Sequence, residues 1–89
     1  MFVILYYDVG EKRCVKMLKK CRQYLTWVQN SVFEGEISDA NYTALISDLE
    51  EIIKKHKDED SVVVYKFRTM KYIKREVFGA DKKEDINFL

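Results

Sequence analysis

Asp8 is the residue of this chain best placed to do chemistry. It closes an apolar run from Phe2 to Tyr7 and is followed by Val9 and Gly10, a turn signal. A carboxylate at such a strand end can hold a divalent cation. It can equally cap the turn or the helix that starts near Glu11, and the residues alone leave both readings open. No histidine accompanies it as a general base. The single histidine, His56, lies among Lys54, Lys55 and Lys57 near a helix end and is read as solvated.

The second candidate is a basic segment. Residues 11–22 carry Lys12, Arg13, Lys16, Lys19, Lys20 and Arg22 against one acid, Glu11, whereas residues 34–60 carry nine acids. The net charge of +1 hides this segregation. A polyanion responds to local charge more than to the total. Some of these six cations are expected to neutralise phosphates, giving salt-sensitive binding without sequence preference. The plainer alternative is a solvated helix face, and cations on the buried side of the helix are excluded in either case.

Cys14 and Cys21 are the whole thiol inventory. On a helix they stand two turns apart, about 10 Å, beyond disulfide reach. No histidine or third cysteine joins them at a zinc-like spacing. They are expected to be small core residues in a reducing compartment. The run at Phe2–Tyr7 is too short to span a membrane and has no positive region before it, so a cytoplasmic location is expected.

These candidates must be positioned by a small set of elements. Residues 2–7 are β-branched and aromatic and predict a buried strand. Residues 11–23 predict a helix, with Cys14, Met17, Leu18 and Cys21 at helical spacing. Residues 25–29 and 32–37 predict two strands joined by a tight turn at Asn30-Ser31. Ser38 is a good N-cap for a helix whose stripe is Tyr42, Leu45, Ile46, Leu49, Ile52 and Ile53. Asp58-Glu59-Asp60 reads as a loop and 61–67 as a strand. Residues 70–78 are expected to add a further strand, and 79–89 to form a charged, mobile tail with an apolar end at Ile86, Phe88 and Leu89.

The order is βαββαβ plus an extra C-terminal strand. This is the ferredoxin-like α+β arrangement, an antiparallel sheet with both helices on one face, here over residues 1–78. In the first strand Phe2, Ile4 and Tyr6 point one way, and Val3, Leu5 and Tyr7 the other. A strand apolar on both faces calls for cover on both, and the helices supply one. The chain is therefore expected to form a homodimer with sheets face to face, the strand at 70–78 adding to the partner's sheet.

Several of these segments resemble a known family. Tyr6-Tyr7-Asp8-Val9 closes the first strand, and Lys12-Arg13 opens the first helix. The block Val28-Gln29-Asn30-Ser31-Val32-Phe33-Glu34-Gly35-Glu36 follows, and Asp60-Ser61-Val62-Val63-Val64-Tyr65 comes after the second helix. Together they resemble the smaller of the two core CRISPR adaptation proteins, the CRISPR-associated endoribonucleases, over roughly residues 1–78. The resemblance implies a homodimer of ferredoxin-like protomers that binds an integrase on both flanks and captures duplex DNA. It also implies a metal-dependent nuclease, on single-stranded RNA or on duplex DNA, with Asp8 binding Mg²⁺ or Mn²⁺. Tyr7, Ser31 and Phe33 then become candidates for shaping the site or the dimer axis. Ser31 could equally shape the turn, and packing, at the dimer axis or in the core, is the favoured reading of Phe33.

Two functional classes remain, an endonuclease using Asp8 and a structural DNA-binding scaffold without turnover. A generic RNA-recognition module is disfavoured, because no Gly- and aromatic-rich block of the RNP1 kind occurs.

Overall fold

The computed structural model describes residues 1–84, and the expected apolar end at Ile86, Phe88 and Leu89 lies outside them. The elements are β1 (Phe2–Asp8), α1 (Glu11–Arg22), β2 (Thr26–Gln29), β3 (Val32–Glu36), α2 (Asp39–Ile53) and β4 (Ser61–Phe67). Turn chemistry marks their boundaries. Asn30 takes a φ of +47° between β2 and β3, a left-handed conformation that asparagine tolerates well. Ser38 caps α2 by accepting a 3.1 Å hydrogen bond from the Asn41 N–H.

The sheet order is β2-β3-β1-β4, antiparallel at each pairing. This is the ferredoxin-like arrangement predicted from the element order. Its helix-side core joins Val3, Leu5, Tyr7 and Phe33 of the sheet to Met17 and Cys21 of α1 and Leu45, Leu49 and Ile53 of α2. Burial pushes the Cys21 thiol up to about 12. Cys21 is therefore expected to resist iodoacetamide at pH 8 in the folded protein and to react once denaturant is added, as mass spectrometry of the adducts would record. Adduct formation at Cys21 in the native protein would contradict this packing.

The other sheet face carries no helix. Ladder partners share a face, so Phe2, Ile4 and Tyr6 stand there with Phe67, Tyr65 and Val63. The Phe2 and Phe67 rings lie 6.3 Å apart, and Tyr6 stacks on Tyr65 at 6.3 Å. Tyr6, Tyr65 and Phe67 are exposed, at 38%, 54% and 36%. The double-faced apolar pattern of β1 is thus real, and one of its faces is only partly covered within a single chain.

The strand expected over 70–78 is not formed. Met70–Ile73 turns, with the Ile73 N–H donating to the Met70 carbonyl at 3.0 Å, and no ladder follows. Residues 70–78 form a ladder with neither edge strand of the sheet, β2 or β4. The segment is instead held by charge to the open face. Arg75 pairs with Asp81 through two 2.8 Å bonds. Glu34 of β3, whose Oε1 is enclosed without a well-aligned hydrogen bond, receives Lys83 at 2.6 Å and Arg75 at 3.5 Å. Its compensation is ionic. The Glu84 N–H then reaches the Trp27 carbonyl of β2 at 3.0 Å.

Candidate functional site at the end of the first strand

Asp8 ends β1, with Ser61 of β4 opposite it in the ladder. Alternation along β1 puts it on the open face with Tyr6, and the residue is exposed. The capping role left open by the sequence is not filled, because the N-cap of α1 is Gly10 and no side chain caps that terminus. Asp8 is therefore free of the helix terminus and turned toward the uncovered face.

A part-buried ion pair lies at the turn that follows it. Asp60, 6% exposed, accepts from both Arg13 Nε and Arg13 Nη2, the latter at 2.8 Å. It also accepts from the Gly10 N–H at 3.0 Å. These Arg13 hydrogen bonds, aided by Gly10, hold the Asp60 carboxyl below the usual carboxylate range despite its burial. A Cβ at position 10 would stand 2.5 Å from the Arg13 guanidinium, so glycine makes room for the pair. One carboxylate thus fixes Gly10, two residues after Asp8, while belonging to the residue before Ser61. The turn after Asp8 and the start of the strand opposite it are tethered to the same point.

This corrects two expectations. Arg13 is committed to Asp60 and is not a surface cation, and Asp60 is a buried anchor rather than one of three loop acids. Nothing local marks the pairing, since the partners lie 47 residues apart. The other cations divide. Lys20 faces Asp48 at 3.4 Å, and Arg22 pairs with Glu84. Lys12, Lys16 and Lys19 are exposed on α1 and take part in no ion pair among the described residues.

Tyr7 and Phe33 are also placed differently from one expectation. Their rings stack at 6.1 Å on the helix side, buried in the core, so neither lies on the face available to a second sheet. Burial raises the Tyr7 hydroxyl above its ordinary value. Ser31 lies beside Tyr7, its carbonyl accepting the Tyr7 N–H at 3.2 Å. It shapes the entry to β3. His56 is partly exposed, its Nδ1 3.5 Å from a Glu59 carboxylate oxygen.

A single chain does not by itself build a metal centre: among the described residues no three His, Cys, Asp or Glu side chains gather. One exposed carboxylate suits a largely hydrated ion such as Mg²⁺, which is held by one or two carboxylates together with phosphate oxygens and water. No helix among the described residues is long and apolar enough to cross a membrane.

A four-stranded antiparallel ferredoxin-like sheet, with a lone carboxylate at the end of its first strand and a basic first helix, defines a class of small α+β proteins. Within it, the family described as CRISPR associated protein Cas2 matches residues 1–75. The chain belongs to that family. It is 45% identical over 84 residues to the CRISPR-associated endoribonuclease Cas2 of Dictyoglomus turgidum, covering 94% of each chain. It is 48% identical over 88 residues to the protein of the same name from Thermococcus kodakarensis, covering 97% of this chain and 99% of that one. A solved Cas2 crystal structure superposes with a TM-score of 0.81 at 43% identity, covering 92% of this chain and 90% of that one. The Streptococcus pyogenes Cas2 structure at pH 6.5 gives 0.68 at 33% identity, covering 75% and 86%.

Proposed function

We propose that this chain acts in CRISPR adaptation as a symmetric dimer that binds duplex DNA and bridges integrase subunits, with a phosphodiesterase site at Asp8. The observation that carries this reading is the position of Asp8 on the open face. A two-fold pairing of the face bearing Tyr6, Val63 and Tyr65 brings both Asp8 carboxylates into one interface. Two facing carboxylates repel, and a divalent cation relieves that repulsion. When bound, Mg²⁺ or Mn²⁺ supplies Lewis-acid activation of water and of a scissile phosphate. The chain's own contribution is to orient the carboxylates through the Arg13–Asp60 anchor and to hold the polyanion with Lys12, Lys16 and Lys19.

The Arg75 and Lys83 contacts to Glu34 lie on the face that would be paired, so dimerisation requires this segment to shift or to share the interface. A scaffold without turnover is the second reading, favoured by the lack of a histidine general base beside Asp8. Purified protein, duplex DNA and single-stranded RNA are incubated with titrated Mg²⁺, wild type beside Asp8→Ala, with light scattering on the same samples. The expected result is a dimer, with metal-dependent cleavage reduced at least about 100-fold in Asp8→Ala. Cleavage that survives in Asp8→Ala would place the site elsewhere. Inactivity of both proteins would leave the scaffold, and a stable monomer at micromolar concentration would remove the dimer.

A further inference from the structure

Beside α1 lies a cleft that the reading above does not use. It is an open depression of about 470 Å³ between α1 and the β2–β3 turn. Tyr7, Leu18 and Trp27 supply aromatic and aliphatic walls, and Ser31 and Arg22 are polar groups at its lining. The Trp27 indole N–H is engaged by the Asn30 carbonyl at 2.8 Å. That bond fixes the orientation of the ring, which is partly exposed and lines the cleft.

We propose that this cleft receives one unpaired nucleobase from a nucleic-acid strand whose phosphates lie along Lys12, Lys16 and Lys19. The proposal rests on the nucleic-acid reading of α1 and adds a base site to it. Residues 12, 15, 16, 19 and 22 recur at three- and four-residue spacing, so they form one stripe of the helix. Val15 sits within that stripe, 58% exposed, and also lines the cleft. Cations for the backbone and aromatic walls for a base are therefore contiguous, the combination that binds single strands with little sequence preference. Ser31 supplies a polar group at the lining that can meet a base edge of any identity.

The C-terminal segment already occupies the margin of this cleft. Glu84 pairs with Arg22, and its N–H bonds the Trp27 carbonyl. Its carboxylate stands where a phosphate oxygen would be recognised by the guanidinium. A bound strand exchanges phosphate for that carboxylate, so Glu84 competes with the ligand.

Trp27 is the single tryptophan and reports on the cleft directly. The full chain is titrated with single-stranded oligo(dT), with an abasic oligonucleotide of equal length, and with a blunt DNA hairpin, following Trp27 fluorescence and the anisotropy of labelled DNA. Oligo(dT) is expected to quench Trp27 and to bind about tenfold more tightly than the abasic strand. Glu84→Gln should raise its affinity several-fold, and Trp27→Ala should erase the difference between the two strands. Trp27→Phe keeps a stacking face and should retain it, which separates stacking from misfolding. Equal affinity for oligo(dT) and the abasic strand in the wild type would overturn the base site while leaving phosphate binding intact. Binding of none of the three probes would overturn the nucleic-acid reading beneath it.

Discussion

Asp60→Ala is expected to lower the melting temperature by on the order of 10 °C or more, as followed by circular dichroism. The substitution leaves the Arg13 guanidinium, 15% exposed at the side chain, without its counter-charge and leaves the Gly10 N–H without its acceptor. Removing one partner of an enclosed pair is far more harmful than removing both. The double variant Arg13→Met/Asp60→Leu should therefore recover much of the loss. A melting temperature within about 2 °C of wild type for Asp60→Ala would show the pair to be peripheral. The pair also sets an acid limb. The folded Asp60 carboxyl ionises below its ordinary value because Arg13 and Gly10 hydrogen-bond its charged form. Its contribution is complete above about pH 4 and is lost as pH falls through the depressed folded value. Asp60→Asn should flatten the wild-type stability profile over that acidic range.

Replacing Lys16 and Lys19 together with alanine should weaken duplex binding on the order of ten- to a hundredfold near 0.1 M salt, equally for unrelated sequences. Both residues are exposed on α1, and neither takes part in an ion pair among the described residues. The slope of log affinity against log salt should flatten by about 0.9 for each phosphate that is no longer neutralised. Anisotropy titrations at four salt concentrations measure both quantities. An unchanged affinity would reduce the basic helix to a solvated face. Arg13 is the wrong probe for this test, since its substitution removes the Asp60 anchor.

The elements were legible because their signals are local. A helix expected over 11–23 runs Glu11–Arg22, and a strand expected over 61–67 runs Ser61–Phe67. The opposed faces of β1 followed from alternation alone. The site was legible only as far as single residues. Asp8 stands at the strand end where turn chemistry put it, but its anchor joins two distant segments that no periodicity connects. Charge counting grouped Arg13 with five other cations because it cannot distinguish an enclosed guanidinium from a solvated one. Phe33 shows a different difficulty. The face of a strand residue is fixed by register, and a slip of one residue reverses it. The pairing of Phe33 with Leu5 turns it to the helices. Residues 70–78 carried strand-like composition, but composition specifies no edge to pair with.

The central position of β1 governs how the molecule is made. β1 leaves the ribosome before the other five elements, yet its two neighbours are β3 and β4, and Phe2 lies opposite Phe67. Partners this distant in sequence meet slowly, because a long loop must close before they stabilise anything. A nascent chain that stops short of Ser61 carries an apolar strand with one edge unsatisfied and its open face bare. The sheet is complete only once β4 has been made, and until then the outer edge of β1 stands open to pairing with another chain.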